Sequence, residues 1–481
     1  DNATDQAIVL NFTTKTKPAV TKALYDFIVP TDGDFKAALA AAAKRTDTSK
    51  RFRIFIKQGD YKIPADESSK VTGSDGNSYA NPTTYINTPN VSIIGEGMDN
   101  TSLTNTVPSS GQAANVLEGI GKGDVLCLQK EATNTYFQDL KMYSSMGDAK
   151  GRDIVLNDQS NKTICKNVNL WAYQDTYVSN NQNGKFYFED GILRGRTDFL
   201  CGKGDVYYNN VELWMCEKGG YLAVPSQPKK YGYIFKDCTI KDATAAKDLN
   251  GNYTLGRPWG KGTPIALYID TKMEAIPSAA GWDEMSGGYP KRFAEYNSTT
   301  STGSTVDLKD RKKVYDAYDS KDGDNYVNRR NETPESPILT AEEAATYTLE
   351  TVMGQDDDWD PTAATEQASA PTNVKLSGTT LAWDNNDYAL LWAVCKNGKV
   401  VDFTITPSYI VDDASATWSV RAANEMGGLS EATAVGQGTG IRNITSATEA
   451  AVIKTAIYAA DGTQLSNLQK GINIIVKTLA D

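Results

Sequence analysis

A single short pattern recurs through the middle of the chain: an apolar or aromatic pair, a polar residue, Asp or Asn, then alternating apolar positions. The copies read YFQDLKM, ICKNVNL, YFEDGIL, YYNNVEL and IFKDCTI. Their Asp/Asn positions are Asp139, Asn167, Asp190, Asn210 and Asp237, spaced 28, 23, 20 and 27 apart. Strand-type alternation at that period, with no helical segment between copies, predicts stacked coils of a right-handed parallel β-helix. A propeller needs a longer repeat with paired antiparallel strands. RFRIFIKQGDY and VSIIGEG read as the first coils.

The ends of such a solenoid need caps. DFKAALAAAAKR after Asp34 predicts a helix before the first coil. Thr340-Ala341-Glu342-Glu343 predicts a capping box opening a second helix, EEAATYTLETVM, that stops at Gly354. TAATEQASAP reads as a linker. Beyond Pro371, short alternating strands around LAWDN, LLWAVCKNG, VVDFTITPSYI and TWSVRAANEMGGLSE predict a small β-sandwich. The expected organisation is an N-terminal extension over 1–22, the β-helix over 23–362, a linker over 363–371, a sandwich over 372–436 and a β-rich terminal domain over 437–481. A truncation after 362 is expected to fold.

Composition narrows the chemistry. The 481 residues contain no histidine, which removes the Ser-His-Asp triad, the Cys-His pair and imidazole acid–base catalysis. Any proton chemistry must run through carboxylates. The 49 Lys and Arg against 60 Asp and Glu leave a charge of -11, which argues against nucleic acid as the main partner. No stretch approaches 18 apolar residues, so no membrane span is expected. The six cysteines (Cys127, Cys165, Cys201, Cys216, Cys238 and Cys395) form no C-x-x-C pair and are expected as buried free thiols. The Asp-rich stretches at 316–324 and 356–360 lack calcium-loop spacing and read as surface loops. No cofactor or metal is required.

Asp175 lies eight residues after Asn167, and Asp198 eight after Asp190. The two therefore occupy equivalent places on adjacent coils, about 4.8 Å apart in the pairing direction. Two carboxylates that close push their pKa values apart, giving an anionic nucleophile beside a proton donor. Solenoids also stack Asp and Asn ladders to hydrogen-bond their turns, so spacing alone leaves both readings open.

The company of these residues decides between them. YQDTY around Asp175, DFLCG around Asp198, LGRPW at 255–259, GW at 281–282 and AEY at 294–296 resemble, in order, the signature motifs of pectin methylesterases. GDFKAAL, IKQGDY and VSIIGEG resemble the family's early blocks, and the likeness covers roughly 23–362. It implies a secreted esterase acting on methyl-esterified galacturonate in pectin or a homogalacturonan-type polysaccharide. Asp198 would be the nucleophile, Asp175 the general acid and base, Gln174 an oxyanion donor and Arg257 the clamp on Asp198. Trp259, Trp282, Tyr177, Phe199 and Arg196 would contact the sugar chain. Arg194, Lys203, Lys218 and Lys261 add basic charge around the motifs, which a polyuronate would meet.

The chain departs from that pattern in three places. Arg152 of GRDIVL stands where the family has the Gln of a QAVAL-like strand; it could serve the oxyanion, bind a uronate, or pair with Asp153 or Asp175. Cys201 replaces the second aromatic of DFIFG, and Val178 an aromatic of QDTLY. A thiol mechanism at Cys201 lacks a histidine to activate it. Alternative readings are a catalytically inactive pectin-binding protein and a β-helical lyase or glycosidase. The Trp383, Trp418 and Asn424–Ser430 spacing resembles fibronectin type III modules. AIYAADG and LQKGINIIVKTL resemble the C-terminal sorting domains of Bacteroidetes type IX secretion, implying a secreted or cell-surface protein that engages that machinery. A monomer is expected.

Overall fold

The computed structural model describes residues 24–108, 116–148, 151–243, 248–385 and 389–436, and the backbone of the strands Val452–Ala459, Gln464–Leu465 and Asn473–Leu479. The expected N-terminal extension over 1–22 lies outside these residues. Two compact units divide the chain, 1–436 and 437–481.

The first unit is built on a parallel β-helix. One wall is a seven-stranded parallel sheet running from Thr84–Ile86 through Leu126–Leu128, Leu156–Asp158, Tyr177–Ser179, Thr197–Gly202 and Gly220–Pro225 to Tyr253–Gly256. A second, 17-stranded sheet forms the rest of the coils. Within it the repeated Asp/Asn is the corner. Asp139, Asn167, Asp190, Asn210 and Asp237 have φ of 56°, 49°, 58°, 55° and 54°. This left-handed conformation excludes most side chains but admits Asp and Asn, whose short polar groups bond locally. Asn167 Nδ2 donates to Asp139 Oδ1 at 2.6 Å, and Asn210 Nδ2 to Asp190 Oδ1 at 2.7 Å. The sequence repeat is therefore a corner ladder, and Asp270 and Asn297 extend it by a 2.7 Å bond.

Inside the coils one aromatic per turn stacks on the next. Ring centroids of Tyr208 and Phe235 are 4.6 Å apart, and those of Phe235 and Tyr268 4.3 Å, with planes within 9° of parallel. Each such pair adds about 0.5–1.5 kcal/mol beyond its buried area. The helix Phe35–Lys44 closes the first coil. Asp34 caps it by accepting the Ala37 N–H at 2.8 Å, and Phe35, Ala38, Leu39 and Ala42 form its buried stripe.

The second helix differs from expectation. The Thr340–Glu343 capping box forms, but the α-helix spans only Ala341–Ala344, and a wider π-type turn, Glu350–Gly354, follows a break. The reason is side-chain competition: Thr346 Oγ1 donates to the Glu343 carbonyl at 2.7 Å, and the Thr351 N–H donates to Thr348 Oγ1 at 3.1 Å.

The expected linker is also corrected. Thr362–Thr365 forms a helical turn, Thr365 Oγ1 donates to Glu189 Oε2 at 2.7 Å, Gln138 Nε2 donates to Gln367 Oε1 at 3.2 Å, and Ala368 is buried. The chain beyond it forms three- and four-stranded antiparallel sheets. Trp383, Trp392, Val394, Trp418 and Val420 fill the space between them. On the strand Leu391–Lys396 the alternate residues Leu391, Ala393 and Cys395 face the other way and join Tyr25, Phe55, Ile94 and Tyr136 of the β-helix in one apolar cluster. Polar bonds seal this contact: Tyr25 Oη to the Gly427 carbonyl at 2.6 Å, and the Val400 N–H to Glu96 Oε1 at 2.6 Å. Helix and sandwich are thus one packed body rather than beads on a tether.

In the second unit the described backbone is a three-stranded antiparallel sheet with Val452–Ala459 at its centre. All six cysteines are buried and unbridged. No helix among the described residues is long and apolar enough to cross a membrane.

Candidate active site

Gln174 bridges Thr197, and Tyr177 pairs with Leu200, so Asp175 and Asp198 occupy the same register on neighbouring coils. Both lie where the chain turns into the seven-stranded wall, and both are left-handed, with φ of 60° and 51°. That conformation costs of order 1 kcal/mol per residue and is held by the surrounding coils. Outward positions on the wall follow in a row, Val178, Cys201 and Val224, through the pairings Val178↔Cys201 and Cys201↔Val224. Cys201 and Val224 of this row floor a cleft of about 230 Å³. Arg152, Gln174, Asp175, Asp198 and Arg257 supply its polar lining, and Ile120, Trp259 and Met285 its apolar rim.

The two carboxylates have different company. Arg257 Nε donates to Asp198 Oδ1 at 3.0 Å and Nη2 to Oδ2 at 2.6 Å, a parallel two-bond fork. The same guanidinium lies 3.7 Å over the Tyr221 ring, which fixes its plane. Burial lifts the Asp198 carboxyl above its usual value, and Arg257 pulls against the lift. Asp175 instead meets Arg152 Nε at 3.8 Å and the Cys201 thiol, which donates to Oδ1 at 3.7 Å. Burial first, and the Asp198 charge second, push its carboxyl up to about 7. Near neutral pH one member of the pair is therefore ready to give a proton while the other is held as an anion. Cys201 is itself pushed well above the ordinary thiol range by burial and by these carboxylates, so it is a neutral donor and no nucleophile.

Trp259 is 37% exposed on the rim. Three other expected sugar contacts are corrected. Tyr177, Phe199 and Trp282 are 0%, 0% and 1% exposed and belong to the β-helix core. Trp282 packs on Phe293 at 4.7 Å, and Tyr177 meets Phe188 edge-on at 4.7 Å. Strand alternation sends Tyr177 inward and Val178 to the outer face of the wall, where it packs with Ile154, Cys201 and Val224. Arg196 is absent from the cleft lining; it donates to the Lys218 carbonyl at 3.0 Å and to Thr197 Oγ1 at 2.8 Å. Arg194 is bound to Asp148 at 2.7 Å.

Arg152 faces Asp175 rather than Asp153, whose carboxyl accepts the Tyr173 and Gln174 N–H groups. Sequence reasoning missed Val224, Ile120 and Met285. Val224 was recoverable by carrying the coil offset one turn past Cys201, whereas Ile120 and Met285 arrive on loops without a repeat. Among the described residues no group of His, Cys, Asp or Glu is arranged to hold a metal ion.

The Pectinesterase family model matches residues 26–330. The chain belongs to the pectinesterase family. It is 23% identical over 281 residues to Pectinesterase 1 of Solanum lycopersicum, covering 56% of this chain and 46% of that protein. It is 24% identical over 269 residues to Probable pectinesterase 56 of Arabidopsis thaliana, covering 53% and 84%. The match thus spans about half the length of the tomato relative. Among solved structures, pectin methylesterase from carrot superposes with a TM-score of 0.51 at 18% identity, over 74% of this chain and 99% of that one. A pectin methylesterase from Erwinia chrysanthemi gives 0.50 at 21%, over 70% and 98%. These likenesses establish the pectinesterase-type parallel β-helix.

Proposed function

We propose that this pectinesterase-family chain hydrolyses the C6 methyl esters of galacturonate units in pectin, releasing methanol. The observation that carries the reading is the electrostatic split of one in-register pair, Asp198 clamped by Arg257 and Asp175 lifted to about 7. Asp198 attacks the ester carbonyl carbon, and the carbonyl oxygen becomes an oxyanion that a Gln174 side-chain N–H stabilises, a contact of about 3–4 kcal/mol. As the tetrahedral centre collapses, the C–OCH₃ bond breaks and Asp175 delivers its proton to the leaving oxygen. Asp175, now ionised, takes a proton from water, which attacks the acyl-Asp198 carbonyl and frees both the uronic acid and Asp198.

Trp259 is the exposed aromatic on the rim and serves as the sugar platform. The sandwich over 372–436 is read as a fibronectin type III-like module. The terminal sheet is read as a sorting domain for type IX secretion, which would place the enzyme outside a Bacteroidetes-like cell. Incubating the protein with highly methylated pectin and measuring free methanol tests the reading. Release that tracks enzyme concentration supports it, and pectin binding without methanol would leave a non-catalytic binder.

A further inference from the structure

We propose that Asp153 is a positioning residue for the pair, its carboxyl group replacing a backbone carbonyl to lock the turn that carries Gln174 and Asp175. The proposal rests on the esterase reading above. Comparing two successive coils makes the case. In the later coil the chain crosses into the seven-stranded wall at Arg196 and Thr197, and both N–H groups donate to one acceptor, the Tyr173 carbonyl of the coil before, at 2.7 and 3.0 Å. The corresponding groups 23 residues earlier are the N–H of Tyr173 and Gln174. There the acceptor is a side chain: Asp153 Oδ1 takes them at 3.1 and 2.9 Å. Asp153 lies three residues before the strand Leu156–Asp158 of the preceding coil.

Asp153 also holds the turn in the opposite sense, because its own N–H donates to the Gln174 carbonyl at 3.2 Å. From the other side the Asp175 N–H donates to the Thr197 carbonyl at 3.2 Å. The left-handed Asp175 is thus gripped between two coils, and one grip is a carboxyl group only 2% exposed. Buried N–H groups left without acceptors cost about 1–3 kcal/mol each, so losing Asp153 favours rearrangement of the turn. Burial also lifts the Asp153 carboxyl well above its ordinary value. A neutral acceptor of the same shape therefore suffices, and an amide oxygen can stand in.

The test compares Asp153→Asn with Asp153→Ala, and with Asp153→Ser should the alanine variant fail to fold. Methanol release is measured per folded molecule, and the Asp175 carboxyl is titrated by ¹³C NMR. The expected result for Ala or Ser is a kcat lower by about 10- to 100-fold with little change in KM, since a displacement near 1 Å costs about that much. The Asp175 midpoint is expected to move off its wild-type value, and Asp153→Asn to restore both readouts. An alanine or serine variant with lowered melting temperature but wild-type kcat and titration overturns the proposal. So does an Asn variant as impaired as Ala. If the wild-type protein releases no methanol, the esterase reading fails, while the titration still decides whether Asp153 positions Asp175.

Discussion

Arg257 grips Asp198 through two parallel N–H···O bonds of 3.0 and 2.6 Å, whereas Asp175, at the same register one coil earlier, meets a guanidinium only at 3.8 Å. That difference assigns opposite duties to two identical side chains. It also fixes how the site should respond to substitution and to pH.

Arg152 sits where it lowers the pKa of Asp175, against the larger lifts from burial and from Asp198. If Asp175 must be protonated to release methanol, acylation falls as pH rises through its pKa, near 7. Removing the cation in Arg152→Ala lets that pKa rise, so the alkaline limb of the kcat/KM profile is expected to move to higher pH. Added salt is expected to produce a smaller shift in the same direction, because the guanidinium is half exposed and screened. A limb that stays in place, or moves down, separates Arg152 from the acid.

Trp259 and Trp282 are expected to fail in different ways. Trp259→Ala removes an exposed rim aromatic and is expected to raise KM with little loss of stability. Trp282→Ala empties a core position and is expected to cost about 3–5 kcal/mol in denaturant unfolding. Thermal or urea melts beside Michaelis kinetics of both variants check this.

The β-sandwich is expected to be needed for a soluble protein. Truncation after 371 uncovers the face on which Leu391, Ala393 and Cys395 meet Phe55 and Ile94, and exposed apolar surface of that kind promotes aggregation. Truncation after 436 keeps the packed unit whole. Size-exclusion profiles and methanol release of the two truncations provide the check: a monomeric, active 1–371 fragment contradicts the packing argument.

The solenoid was legible because its corners demand Asp or Asn at φ near 55°, a constraint that leaves a mark every 20 to 28 residues. The pairing of Asp175 with Asp198 followed from the same period. The inward or outward sense of each aromatic was less legible. Phe199 and Leu200 are neighbours yet both buried, because the register with the next strand shifts between Thr197 and Leu200. The docked sandwich did leave a trace. Leu391 to Cys395 is apolar throughout, as a strand covered on both faces should be, and composition drew attention instead to the polar stretch before it. The role of Asp153 was hidden because it depends on which acceptor each coil offers the next, a side chain here and a carbonyl one coil later, and that is a property of the stacked backbone.

The division of labour between Asp198 and Asp175 is tested most directly by methanol release from highly methylated pectin with Asp198→Asn and Asp175→Asn, each confirmed folded by circular dichroism. An amide can neither attack as a carboxylate nor give up a proton, so both variants are expected to lose at least about 10³-fold in turnover. Retention of more than about a tenth of wild-type turnover by either, a barrier change of only ~1.4 kcal/mol, would contradict the assignment of that residue.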